Sequence, residues 1–144
     1  MPNFHQSPAD GHAITQDVTP RTINNTQVSG AGVDMQGWDG CLFVLNLGTI
    51  DATVDMSIQR DDASNFGSAT AITGSSITQV PATGDGQAVA VDVWRPSERY
   101  VRSRVTVGSG TTGAALGVTA IRYRATGRLP ITQTLNELVK VAEN

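Results

Sequence analysis

Two apolar runs of period two, separated by a charged corner within residues 87–107 (QAVAVDVWRPSERYVRSRVTV), restrict this chain more than any other stretch. Val89, Val91 and Val93 recur at every second position with Asp92 among them, the period of a strand that turns one face to a core. Val101, Val105 and Val107 share a face with Ser103, while Tyr100, Arg102, Arg104 and Thr106 share the other. β-Branched residues dominate both runs, which suits a pleated, half-buried surface. Pro96 has no N–H to give to a ladder, so residues 94–100 are expected to connect the two strands. The expected class is all-β: an antiparallel, jelly-roll-like β-sandwich at 13–130, with an extended N-terminal arm at 1–12 and a short C-terminal helix at 131–144.

A length of 144 residues suits one domain with one sizeable core. Only 16% of residues are charged, but the apolar ones fall in periodic runs, so low charge does not mean disorder. Charge is divided along the chain: residues 1–92 hold ten Asp and two Arg, a net of −8, and residues 93–144 hold seven Arg, one Lys and three Glu, a net of +5. Two readings stay open, internal neutralisation and copies that join acidic to basic surface. Nine of the ten cations are arginine, the planar donor suited to interfaces. The acidic total, and basic residues not interleaved with exposed aromatics, argue against a nucleic-acid partner.

Along the chain, residues 13–28 read as one or two edge strands, with Pro20 unsuited to a central position. Residues 41–47 (CLFVLNL) read as a strand buried on both faces, and 52–59, with Val54, Met56 and Ile58 inward, as its hairpin partner. The stretch 60–68 reads as a solvated loop, because Asp61, Asp62 and Asn65 do not fit a calcium-loop spacing. Short strands are expected at 69–73 and 76–80, and a long one at 114–124. If the last pairs with 101–107, Arg102, Arg104, Arg122 and Arg124 align across one hairpin and need acidic partners, either Asp55 and Asp92 or a neighbouring subunit. Leu135, Leu138, Val139 and Ala142 fall on one helical face, and Thr134 with Glu137 has the spacing of a capping box.

Chemistry is sparse. Cys41 is the only cysteine, excludes an intrachain disulfide and reads as a small core residue. The histidines, His5 and His12, lie in the arm, and the three glutamates sit near the corner or in the C-terminal helix. No phosphate loop, zinc spacing or nucleophile elbow occurs, so no catalytic, cofactor or metal residue is expected. Residues 1–6 lack the basic and apolar regions of a secretory signal, and no apolar run approaches the roughly 20 residues that span a bilayer. The expectation is a product of a cytoplasm with no membrane partner.

The segment VDVWRPSERYVR at 91–102, preceded by GWDGCLFV at 37–44, resembles small structural proteins of tailed bacteriophages over about residues 33–125. The resemblance implies a non-enzymatic capsid decoration or cement protein, a homotrimer on the outer face of an icosahedral head whose partner is the major capsid protein. The location implied is the virion surface. Phe4, Arg95, Arg99 and Arg102 are the expected contact residues. A head-to-tail adaptor or tail protein is the first alternative. A carbohydrate-binding sandwich is the second, and it needs a row of exposed aromatics drawn from Trp38, Trp94, Tyr100, Tyr123 and three phenylalanines.

Overall fold

Ten elements follow from these patterns in a computed structural model that describes residues 8–126, 135 and 137. They are α1 (Pro8–Gly11), β1 (Ala13–Ile23), β2 (Thr26–Ser29), β3 (Val33–Asp34), β4 (Trp38–Ile50), β5 (Val54–Asp61), β6 (Thr70–Ala71), β7 (Ala88–Trp94), β8 (Tyr100–Val107) and β9 (Ala114–Ala125). One sheet has the order β1-β9-β4-β7; the other has β2-β8-β5-β6, with β3 also pairing β8. All ladders are antiparallel. The partners are nested: β1 with β9, β2 with β8, β4 with β7, β5 with β6. The chain is one long hairpin rolled over on itself, the topology of a jelly roll.

The alternating residues meet between the sheets. Cys41, Phe43, Leu45 and Leu47 from β4 and Leu116, Val118 and Ala120 from β9 face Val54, Met56 and Ile58 from β5 and Val101, Val105 and Val107 from β8. Residues 41–47 are therefore buried on one face only, because Leu42 and Val44 point outward and are half-buried. The hairpin expected between 41–47 and 52–59 does not form either. Ile50 donates to the Asp85 carboxylate at 3.0 Å and Asp51 to the Gly113 carbonyl at 2.9 Å, and Ala52 is buried as the chain crosses to the opposite sheet. Both strands have an apolar face, and they satisfy it by packing across the core instead of side by side.

The corner at 94–100 makes the same crossing between β7 and β8, so the two most patterned strands lie in opposite sheets. Four further expectations change. Residues 8–11 are helical: the turn that starts at Pro8 is closed by His12, which donates to the Pro8 carbonyl at 3.0 Å. Of 69–73 only Thr70–Ala71 is strand, and 76–80 keeps a single bridge, Val54 to Val80. The loop at 60–68 buries Asp61, which accepts the N–H groups of Ala63 at 3.0 Å and Ser68 at 2.8 Å, together with Phe66. Finally β9 pairs with β1 and β4 and not with β8, so the four arginines do not share a hairpin. Phe4, His5 and the helix expected at 131–144, apart from positions 135 and 137, lie outside the described residues.

A polar tie joins the sheets. Register shifts at Gln16/Val18 and Val18/Arg21 interrupt the edge strand β1. The first turns Asp17 inward beside Val18, as a bulge re-aims a side chain, and Pro20 sits at the second. Gly30 leaves the space that the Asp17 carboxylate fills, which a Cβ there would occupy.

Candidate functional site

The registers Gly40↔Trp94, Gly40↔Tyr123, Trp38↔Ala125 and Asp61↔Tyr100 bring the starts of β4 and β8 and the ends of β5, β7 and β9 to one end of the sandwich. Trp38, Phe66, Trp94, Tyr100 and Tyr123 gather there, while Phe43 stays in the core. All five cation–π pairs among the described residues form at this end. They are Arg95 and Arg124 on Trp94 (5.1 and 5.2 Å), Arg99 on Tyr100 (5.2 Å), Arg102 on Phe66 (4.5 Å) and Arg122 on Trp38 (5.3 Å).

Trp94 carries two of these pairs. At 47% exposed it is the one large apolar side chain among the described residues left open to solvent. Tyr123 stacks on it with ring centroids 6.2 Å apart and planes 16° from parallel. That stack depends on Gly40, since a Cβ there would clash with the hydroxyl-bearing edge of the Tyr123 ring. The Tyr123 hydroxyl donates to Asp92 at 2.5 Å; burial, then the Asp92 carboxylate, push its pKa up to about 12. Arg95 and Arg124 both have left-handed backbones, with φ of 48° and 53°. An L-residue pays roughly 1–2 kcal/mol for that region, and such strain persists only where the surroundings enforce it. Here the Arg95 N–H is held by the Asp39 carbonyl at 2.8 Å, and the residue after β9, Thr126, donates to the Gly37 carbonyl at 2.8 Å.

Arg99 forms a two-pronged ion pair with Asp34 at 2.9 and 2.8 Å, which holds the Asp34 carboxyl below its ordinary range and the guanidinium above its own. Arg122 donates to the Asp34 carbonyl at 2.9 Å, and Arg124 is 3.7 Å from Asp39. Arg99–Asp34 and Arg124–Asp39 are ion pairs between described residues. Arg60, Arg95, Arg102 and Arg122 have no carboxylate within 4.0 Å, and the Nε atoms of Arg60 and Arg122 are buried without an acceptor. Asp55 and Asp92 do not serve as acidic partners: Asp55 accepts from Gln79 and Asp92 from Tyr123. Arg102 and Arg104 donate instead to Gln59 and Gln27, at 2.9 and 2.8 Å. Neutral acceptors orient a guanidinium without cancelling its charge.

The expected contact residues Arg95, Arg99 and Arg102 all lie at this end of the sandwich, Arg102 on the outer face of the β8 sheet, and Arg99 is paired with Asp34. Trp94, Tyr123, Arg122 and Arg124 join them, and only Gly40 inside a strand hints at that assembly in the sequence. No group of three His, Cys, Asp or Glu side chains that could hold a metal occurs among the described residues. Cys41 is fully buried, and that burial raises its thiol to about 12, away from nucleophilic use.

No protein-family model matches the chain, and no curated protein sequence matches it. The crystal structure of the PBSX exported protein XepA aligns over 96% of this chain at 17% identity with a TM-score of 0.57. The chain spans 45% of that protein, a little under half its length. A chain from Bacillus endospore appendages, which form a family of disulfide-linked pili, aligns over 81% of this chain and 90% of its own at 13% identity, with a TM-score of 0.47. The likeness to XepA is one of fold.

Proposed function

We propose that this chain is a non-enzymatic structural protein of a tailed-bacteriophage virion, a decoration or cement protein on the outer face of the head. Its arginine–aromatic end is the surface that meets the major capsid protein. The observation that carries this reading is the concentration, at one end of a small sandwich, of four guanidinium groups without carboxylate partners, one of which, Arg95, lies over the exposed Trp94. Desolvated arginine and tryptophan are the residues that dominate protein interfaces. Unneutralised cations select an acidic surface on the partner, and each copy bound across a joint between capsid subunits stabilises the assembled shell by mass action. Phe4 belongs to the same proposal as a contact outside the described residues.

The Trp94–Tyr123 stack is the one observation that favours a sugar-binding module instead. Its immediate neighbours are two guanidinium groups, which attract carboxylates more than neutral sugar rings.

The test is co-sedimentation with capsids assembled without this protein. Saturation at a fixed ratio is expected, with affinity at least ten-fold weaker for Trp94→Ala combined with Arg95→Ala and an unchanged circular dichroism spectrum. Wild-type protein that ignores the shell would sink the reading.

A further inference from the structure

Three of the four outer edges of this sandwich are protected against pairing. β1 is broken by two register shifts with Pro20 at one of them, β2 is 4 residues long and β6 only 2. The fourth, β7, is not. Its sequence AVAVDVW contains no proline and no basic residue, and its register on β4 runs without a break from Gly40↔Trp94 to Asn46↔Ala88. Its other edge meets no strand among the described residues. Residues 72–80 bond to β5 through Ile72, Ile77 and Val80, and a groove remains between them and residues 89–92 of β7. Val89 and Val91 point to the core along that groove yet stay only partly buried, unlike Val93.

We propose that β7 pairs antiparallel with β7 of a second copy of this chain about a two-fold axis at Val91, which joins two four-stranded sheets into one of eight. The strand is self-complementary in that register. Ala90 faces Asp92 of the partner subunit and Ala88 faces Trp94 of the partner subunit, so each larger outward side chain lies opposite a methyl group. Asp92 is the only charge on the strand, and no like charges meet. An axis at Asp92 would set two carboxylates face to face. Backbone hydrogen bonds supply the affinity, and the partly covered valines lose their remaining contact with water. Because the axis is two-fold, the contact is isologous, unlike those within a threefold cluster.

The sign of charge at position 90 tests both the contact and its register. Ala90→Asp places a carboxylate opposite Asp92 of the partner subunit at two equivalent positions, and Ala90→Lys places an ammonium there. Ala90 is exposed, so both variants are expected to fold, which circular dichroism checks. Sedimentation equilibrium of the full chain is expected to give a dimer or a multiple of dimers. Association should weaken at least ten-fold in Ala90→Asp and hold or tighten in Ala90→Lys, with the difference shrinking at high salt. A wild-type monomer, a trimer whose mass neither substitution changes, or equal weakening by both substitutions would overturn the proposal.

Discussion

Asp17 and Ser103 are joined across the interior of the sandwich: Asp17 Oδ2 accepts the Ser103 backbone N–H at 2.7 Å and its hydroxyl at 2.5 Å, and Oδ1 accepts the Gly32 N–H at 2.8 Å. Asp17 is 4% exposed and Ser103 fully buried, so the two Ser103 donors have no water to turn to. Hydrogen bonds to a charged acceptor contribute about 1.5–3 kcal/mol, and orphaned buried donors cost about 1–3 kcal/mol. Asp17→Ala is expected to lower stability by about 3 kcal/mol in urea unfolding, and Asp17→Asn by less because one acceptor oxygen survives. A loss below about 0.5 kcal/mol in the alanine variant would contradict this role.

Acid should weaken the fold through a few specific carboxylates. Asp34, Asp51 and Asp61 all titrate below the ordinary value of 3.8. The chief causes are Arg99 for Asp34, the Gly113 and Thr112 N–H groups for Asp51, and the Ala63 N–H for Asp61. A depressed folded-state pKa means the unfolded chain takes up the proton first. The stabilisation is therefore complete above the ordinary carboxylate range and fades as pH falls through the lower folded values. Urea midpoints should stay flat down to a little above 3.8 and drop below it, and the drop should be smaller in Asp51→Asn.

The Trp94–Tyr123 stack should report on Gly40. Gly40→Ala forces the Tyr123 ring away, at a cost of about 1–3 kcal/mol for overpacking, and should shift the tryptophan emission. In wild-type protein the Tyr123 phenol should ionise only near 12, and Asp92→Asn should bring that value down without restoring the ordinary 10.0, because burial is the larger cause. Ultraviolet titration of Tyr100→Phe protein isolates this group. Ionisation of Tyr123 at its ordinary value would disprove the packing.

Cys41 offers a probe of global unfolding. It is fully buried in the ladder between β7 and β9, with its thiol raised to about 12. Disulfide reagents should leave the native protein untouched at neutral pH and label it at a rate that follows the unfolded fraction in urea. Fast labelling without denaturant would refute the burial.

Alternation reads well in a sequence because it is a property of each strand by itself. Val89–Val93, Val101–Val107 and Val54–Ile58 declare their inward faces, Pro20 declares an edge, and the sandwich class follows. Pairing belongs to two strands and reads poorly. Residues 41–47 and 52–59 look like neighbours because a short turn separates them, but nothing local says that the turn changes sheets. The two half-buried outward residues Leu42 and Val44 make a one-sided strand look two-sided. The inward turn of Asp17 had no signal, since its aspartate sits in the least patterned part of the chain. Arginines at 95, 99 and 102 could be picked out by type, whereas Trp94 and Tyr123 meet only once the nested topology places β7 and β9 on either side of β4.

That nesting also sets an order of events. The innermost partners, β5 and β6, are separated by one loop, whereas Ile14 pairs with Ile121 and Thr26 with Val107. Closing each outer layer of the roll costs more chain entropy than the one inside it, and topologies dominated by distant pairings fold slowly, on the order of milliseconds to seconds. Through that interval β1 has no mate until β9 arrives, and the chain is most exposed to wrong pairing just before its outermost layer closes.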